Sequence, residues 1–220
     1  MQMFQRCISV LITMPDFDLP TSYITKWSEK LVKIGEKNGL TPIVLKGKNV
    51  NKNHITYSIM SKNPKLLIFN GHGSSDSITG QDNEPIIILG ENDNLLESKI
   101  IHAFACNSAK DLGFKCRAES FIGYNDWFWL CMDRFGTNRP LDDKFAQPLL
   151  ESAIEAPLQL VKRNTTGEAF EKSQQKYQEW IDKFTISSSK YTTEELQLIL
   201  PLLTWNKSIQ VIHGNRNAKR

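Results

Sequence analysis

Short runs of apolar and β-branched residues recur in the first part of the chain and predict the strands of a buried sheet. The runs cover residues 6–13, 42–45, 65–69, 100–105 and 120–124, with a further short run at 84–89. Strands buried on both faces are apolar throughout rather than alternating, so these runs favour a parallel sheet.

Helical spacing of apolar residues separates the strands. Ile24, Trp27 and Leu31 follow a possible N-cap at Thr21 or Ser22, and residues 52–61 and 107–119 predict two further helices. The alternation of strand and helix predicts an α/β sandwich with a mostly parallel sheet of about six strands.

The pattern changes to amphipathic helices after residue 141. Residues 147–161 and 168–184 predict two helices, a third begins at Thr192, residues 208–213 predict a closing strand, and the polar tail from Asn215 is expected to fray. No linker rich in Pro, Gly or Ser divides the chain. We therefore expect one domain over 1–220, with a core at 1–135, a helical part at 141–203 and a closing strand at 208–213.

Composition and charge exclude several classes of protein. The 220 residues are 40% hydrophobic and 23% charged, which excludes a disordered or collagen-like chain. Lys and Arg number 27 against 24 Asp and Glu, and no basic stripe is interleaved with aromatics, so no nucleic-acid partner is expected. No apolar run is long enough to cross a membrane, and the start lacks the pattern of a signal peptide. We expect a cytoplasmic protein with no membrane partner.

The cysteines indicate free thiols rather than a metal centre. Cys7, Cys106, Cys116 and Cys131 form no C-x-x-C pair. A zinc site is therefore not indicated, and we expect neither a metal nor an organic cofactor. Most free cysteines are small packing residues, so the open question is whether one of these four is reactive.

A histidine and a cysteine each follow a predicted core strand directly. His72 lies between two glycines after the run at 65–69, and Cys106 follows the run at 100–105, 34 residues later. Loops converge at the carboxyl edge of a parallel sheet, so the two side chains are candidates for a catalytic dyad. The backbone N–H groups of Gly73 and Cys106 are candidates for an oxyanion hole. Taken singly, a loop histidine is more often a surface residue and a cysteine a packing residue.

Two other histidines were weighed as partners of Cys106. His102 lies four residues before it on the same predicted strand, roughly 13 Å away in an extended chain, which is beyond hydrogen-bond reach. His213 also follows a strand, and its spacing alone does not exclude it. We favour His72.

The segments LLIFNGHG (66–73) and IIHAFACNSA (100–109) resemble the His-Gly and Ala-Cys motifs of the caspase-like cysteine peptidases. Residues 120–124 and 202–215 resemble the strands that follow in the CHAT and gingipain branches of that group. The resemblance implies a caspase-like three-layer sandwich in which His72 is the general base and Cys106 the nucleophile of peptide-bond hydrolysis. It further implies a protein substrate, a regulatory protein partner, and a role in bacterial signalling or antiviral defence.

The sequence departs from true caspases, so cleavage after aspartate is not assumed. The motif is FACNSA rather than Q-A-C-[RQG]-G, and Phe104 stands where many relatives place a polar or acidic residue of the S1 pocket. Asp16, Asp18 and Asp126 follow predicted strands. Asp16 and Asp126, with Asn125, are candidate substrate contacts that would favour a basic P1 residue. The run at 127–130 (WFWL) is a candidate substrate wall, although such runs more often form a core or a partner surface.

Two other functions remain open at this stage. A caspase-like module without catalysis could bind proteins through the aromatic run at 127–130. A nucleotide site at Gly71 and Gly73 is weaker, because Asp76 stands where the third glycine of G-x-G-x-x-G is required and no P-loop is present. We expect a cysteine endopeptidase.

Overall fold

A computed structural model describes residues 8–133, 139–186 and 191–220. The central sheet has six strands in the order β2-β1-β3-β6-β7-β8, and a separate hairpin pairs β4 with β5. The strands are β1 (Ile8–Met14), β2 (Leu40–Lys46), β3 (Leu66–Asn70), β4 (Ser77–Thr79), β5 (Pro85–Ile88), β6 (Ile100–Phe104), β7 (Ser120–Tyr124) and β8 (Gln210–Gly214). The first five in sheet order are parallel, and β8 pairs antiparallel with β7.

The central strands are fully buried, as their mostly apolar runs predict. Every residue of β3, β6 and β7 is buried, because side chains on both faces of the sheet are covered. The mostly parallel six-stranded sheet predicted from the sequence is confirmed.

Helices cover the two faces of the sheet. The helices are α1 (Leu19–Lys37), α2 (Lys52–Lys62), α3 (Leu112–Lys115), α4 (Ala146–Val161), α5 (Thr166–Ile186) and α6 (Thr193–Ile209). One face packs against α1, α4 and α5, the other against α2, α3 and the β4–β5 hairpin. A further apolar cluster joins α4, α5 and α6. The arrangement is a three-layer α/β sandwich.

Local expectations differ from the structure at two places near the site. The N-cap of α1 is Asp18, and Thr21 lies three residues into a capping box rather than at the cap itself. Of the helix predicted at 107–119 only α3 forms. Asn107 has a left-handed backbone (φ 57°), and the N–H groups of Asp111 and Leu112 donate to the Ser75 carbonyl instead of to a helix. Long-range partners thus replace helical bonds in this segment.

The segment after Asn215 is docked, so the prediction of a frayed tail is wrong. The carbonyls of Ala218 and Arg216 accept from the N–H groups of Thr166 and Gly167, at 3.0 and 2.7 Å. Those N–H groups begin α5 and have no partner within the helix, so the tail satisfies them. Ala218 is correspondingly buried.

Residues 6 and 7, which the sequence assigns to the first strand, lie outside the described residues, and so does the Cys7 thiol. Within the described ranges, no helix has the length and apolar character that a membrane span requires.

Candidate functional site

The register of β3 and β6 brings His72 and Cys106 to the same edge of the sheet. Asn70 at the end of β3 is paired with Phe104 at the end of β6, and the Gly71 N–H donates to the Phe104 carbonyl at 3.2 Å. His72 and Cys106 each stand two residues beyond that pair. Neighbouring parallel strands are about 4.8 Å apart, so the two residues leave the sheet side by side.

The end of β1 is tied to the same edge. The Thr13 hydroxyl donates to the Asn70 carbonyl at 3.0 Å, and the Asn70 side-chain amide donates to the Thr13 carbonyl at 2.7 Å. After β1 the chain leads to β2 on one side of β1, and after β2 it crosses to β3 on the other side. The gap between β1 and β3 is therefore a topological switch point. Crevices at such points are where α/β sheets place their functional groups.

Asp18 crosses this crevice to His72. One carboxylate oxygen, Oδ2, lies 2.6 Å from His72 Nε2, while Oδ1 accepts from the Thr21 N–H at 2.9 Å. Burial opposes ionisation of this carboxyl, but hydrogen bonds from Thr21 and His72 outweigh it and lower the pKa of Asp18. The Phe17 ring also meets the imidazole edge to face, with centroids 5.8 Å apart. His72 is therefore held through Nε2, which leaves Nδ1 for another partner.

Cys106 is a mostly buried thiol. Its Sγ accepts a hydrogen bond from the Phe128 N–H at 3.3 Å. Burial raises the pKa of the Cys106 thiol, and the hydrogen bond from Phe128 offsets this only in part. A thiol that is protonated at neutral pH needs a neighbouring base before it can act as a nucleophile.

A cavity of about 250 Å³ opens beside both side chains. His72 and Cys106 line it together with Gly71, Phe104 and Ala105 at the strand ends. Its other sides come from the start of α1 and from the wall segment, which we define as residues 127–132. The side chains contributed by these two parts are all apolar: Pro20, Ile24, Trp127, Phe128, Trp129, Leu130 and Met132.

Gly73 lies against the backbone of Cys106. A Cβ atom at Gly73 would stand 2.7 Å from the Cys106 carbonyl oxygen and 3.0 Å from Ala105 Cβ. Only a residue without a side chain allows this approach. The close backbones are compatible with the oxyanion hole expected at Gly73 and Cys106, which stays a prediction.

The other two histidines lie elsewhere. His102 is fully buried in β6, paired with Ile68 and Ile122, and burial lowers its pKa to about 3. The Nε2 atom of His213 lies 2.9 Å from the Ala109 carbonyl oxygen, and neither His213 nor Ala109 lines the cavity. Of the three histidines considered, only His72 shares the cavity with Cys106.

The three residues expected to contact substrate lie outside the cavity lining. Asp16 is exposed, and its N–H donates to the Gln81 side chain at 3.0 Å. Asn125 is exposed and bonds to the Ile209 carbonyl through its N–H. The Asp126 carboxylate accepts from the Trp127 N–H at 2.7 Å. These carboxylate and amide groups do not form part of the cavity lining, and their expected contact with a substrate stays a prediction.

Sequence reasoning placed Asp18 near the site but missed its contact with His72. The contact forms because β1 and β3 are neighbours in the sheet. The sequence signal for it was an acidic residue shortly after β1. The sequence indicates residues 127–130 as a candidate substrate wall, and all four of them line the cavity. The contributions of Pro20, Ile24 and Met132 had no sequence signal.

No known family profile matches the sequence, and no curated protein matches it. Among solved structures, the fold is similar to that in the crystal structure of the Arg-specific cysteine proteinase gingipain R, with a TM-score of 0.56 over 96% of this chain. The two sequences are 11% identical, and this chain spans 46% of the length of that one. At that identity the likeness concerns the fold alone: the chain has a mixed α/β, caspase-like fold similar to that of gingipain R.

Proposed function

We propose that this protein is a cysteine endopeptidase in which Cys106 is the nucleophile, His72 the general base and acid, and Asp18 the residue that positions His72. The observation that carries the proposal is the meeting of His72 and Cys106 on one cavity at the carboxyl ends of β3 and β6, with Asp18 bound to His72 Nε2 at 2.6 Å. The caspase-like fold supports it, because the similar structure is that of a cysteine proteinase.

The proposed reaction starts from the protonated thiol of Cys106. His72 takes the proton from Cys106 Sγ, and the sulfur attacks the carbonyl carbon of the scissile peptide bond. His72 then gives that proton to the leaving amine as the C–N bond breaks, which leaves a thioester on Cys106. A water molecule, deprotonated by His72, attacks the thioester and releases the carboxylic acid and the thiol. Asp18 stabilises the imidazolium that forms in both halves of the reaction.

The substrate of the proposed peptidase is a partner protein, and a regulatory protein partner raises cleavage above the basal level that the peptidase has alone. This part of the proposal rests on the resemblance of the two motifs to the CHAT and gingipain branches of caspase-like peptidases, which suggests a part in bacterial signalling or antiviral defence.

The test compares wild type, Cys106→Ala and His72→Ala on a mixed peptide library, with products identified by mass spectrometry. Cys116→Ala is a matched control, because Cys116 is also a partly buried free thiol but lies outside the cavity lining. We expect wild type and Cys116→Ala to produce the same cuts, and the other two variants to lose them. Equal cleavage by wild type and Cys106→Ala would contradict the proposal.

A non-catalytic binding module is the competing function. The indole side chains of Trp127 and Trp129 are more than half exposed, and such surfaces also suit a protein partner. A stable partner complex that forms equally well with Cys106→Ser, together with no cleavage of that partner by wild type, would favour this alternative.

A further inference from the structure

The floor of the cavity is an aromatic side chain next to the candidate nucleophile. Phe104 is two residues before Cys106 and 2% exposed. Its ring packs edge to face on Phe128, with centroids 4.8 Å apart, and lies 5.7 Å from the Tyr124 ring. These contacts fix Phe104 as the base of the space that a side chain next to the scissile bond would enter.

The cavity offers no partner for a charged side chain. Among the described residues that line it, no Asp, Glu, Lys or Arg is present, and the polar groups are those of His72 and Cys106 and the indole N–H groups of the two tryptophans. The nearby backbone is also engaged: the Trp127 carbonyl accepts from the Trp205 indole at 2.8 Å, and the Trp129 carbonyl accepts from Asn206 at 2.8 Å. A Lys, Arg or Asp side chain in this space would lose part of its hydration without meeting an opposite charge among the lining residues, which is unfavourable.

The volume fits one side chain of substantial size. At about 250 Å³, the cavity is large enough for a long aliphatic or an aromatic side chain. Filling such a space with a small residue would leave much of its apolar wall uncovered. A long aliphatic or aromatic side chain instead buries that surface, and the hydrophobic contribution grows with the apolar area buried.

We propose that this cavity is the S1 pocket and that it selects a large apolar P1 residue (Leu, Met or Phe) over Lys, Arg or Asp. The inference rests on the proposed peptidase function and adds its substrate class. It replaces the basic P1 residue that the acidic residues near the strand ends suggested from the sequence.

The experiment uses peptidyl acyloxymethyl ketones that share P2 to P4 and differ only at P1. The thiolate of Cys106 forms a C–S bond to the methylene carbon, the C–O bond to the acyloxy group breaks, and a carboxylate leaves. Labelling rates are measured by intact mass, and the site by peptide mapping. We expect Leu, Met and Phe probes to label Cys106 at least about tenfold faster than Lys, Arg or Asp probes, a factor that corresponds to about 1.4 kcal/mol.

A charge-introducing variant tests whether this cavity determines the preference. Trp129 lines the cavity and is 55% exposed, so Trp129→Glu is compatible with the fold. It should increase labelling by the Lys probe relative to the Leu probe. Leu198→Glu adds the same charge at an exposed position of α6 outside the cavity and should leave the ratio unchanged.

The outcomes separate the two proposals. Fastest labelling by a Lys, Arg or Asp probe would overturn the apolar S1 assignment while leaving Cys106 as the nucleophile. The same P1 ratio in Trp129→Glu, Leu198→Glu and wild type would also overturn it. If no probe labels Cys106, the peptidase proposal fails and the S1 assignment fails with it.

Discussion

The carboxylate of Asp18 makes two different contacts, one through each of its oxygens. Oδ1 caps α1 through the Thr21 N–H, and Oδ2 binds His72. Since helix capping needs only a side-chain oxygen while the contact with His72 uses the negative charge, one substitution can separate the two roles.

Asp18→Asn should lower kcat without unfolding the protein. Asn caps a helix about as well as Asp, so the melting temperature should stay close to that of wild type. The imidazolium loses its negative partner, so kcat should fall at least about tenfold, as expected when the acid of a triad is neutralised. KM should change little, because Asp18 does not line the cavity.

Asp16→Asn is the matched control for this variant. Asp16 is exposed, two residues away, and also outside the cavity lining. Steady-state kinetics and thermal unfolding of both variants give the comparison. Equal kcat values for the two would show that Asp18 serves only as a cap.

His102 makes the fold sensitive to acid. Both of its ring nitrogens are buried and find no hydrogen-bond partner among the residues that the structure describes, and burial lowers its pKa from 6.5 to about 3. Between these values the unfolded chain binds a proton that the folded chain does not. The free energy of unfolding should therefore fall as pH is lowered from 6.5 toward 3, by at most about 1.4 kcal/mol per pH unit from this residue.

His102→Leu removes the titrating group and should flatten the loss of stability between pH 6.5 and 4. His54→Gln, at an exposed position of α2, is the control and should retain the wild-type slope. Urea unfolding at several pH values measures the difference. Parallel curves for His102→Leu and wild type would show that other groups cause the acid sensitivity.

At the scale of elements, the backbone of the wall segment at Trp127 and Trp129 is held by α6, while Phe128 packs on the sheet. The fully buried Asn206 accepts from the Trp129 N–H at 3.0 Å and donates to the Trp129 carbonyl at 2.8 Å. Trp205, the preceding residue, donates to the Trp127 carbonyl. The position of this cavity wall therefore depends on a helix that contributes no residue to the cavity lining.

Asn206→Ala should weaken this wall. Two hydrogen bonds are lost and the backbone of Trp129 is left unpaired, so the free energy of unfolding should fall by about 1–3 kcal/mol. The labelling rate of Cys106 by the Leu probe should also fall, and the difference between Leu and Lys probes should narrow. Ser208→Ala, which removes an exposed hydroxyl bonded to the Trp205 carbonyl, should change neither quantity much. An unchanged P1 preference in Asn206→Ala would show that α6 does not position this wall of the cavity.

The elements differ in how well their sequences predict them. The strands were predicted closely, because a run such as that of β7 is mostly apolar and is buried along its whole length. Residues 107–119 were misassigned, because Ser75 and Asp126 supply their backbone partners from distant parts of the chain. The periodicity of apolar residues indicates which positions are buried. It does not indicate which distant carbonyl accepts a given backbone N–H.

On the scale of the whole molecule, the fold class and the positions of His72 and Cys106 followed from the sequence. Both residues closely follow buried strands, and neighbouring parallel strands end at the same edge of the sheet. The contact between Asp18 and His72 did not follow, because it requires the sheet order to be known. The apolar cavity did not follow either, since it combines α1, two strand ends and the wall segment.

The support of the wall segment by α6 also sets an order of events during synthesis. A nascent chain folded only as far as residue 186 contains Asp18, His72 and Cys106, but not Trp205 and Asn206, and the Asn125 N–H lacks the Ile209 carbonyl that it meets in the folded protein. The proposed peptidase can therefore complete its substrate cavity only after α6 has been made, later than its catalytic side chains.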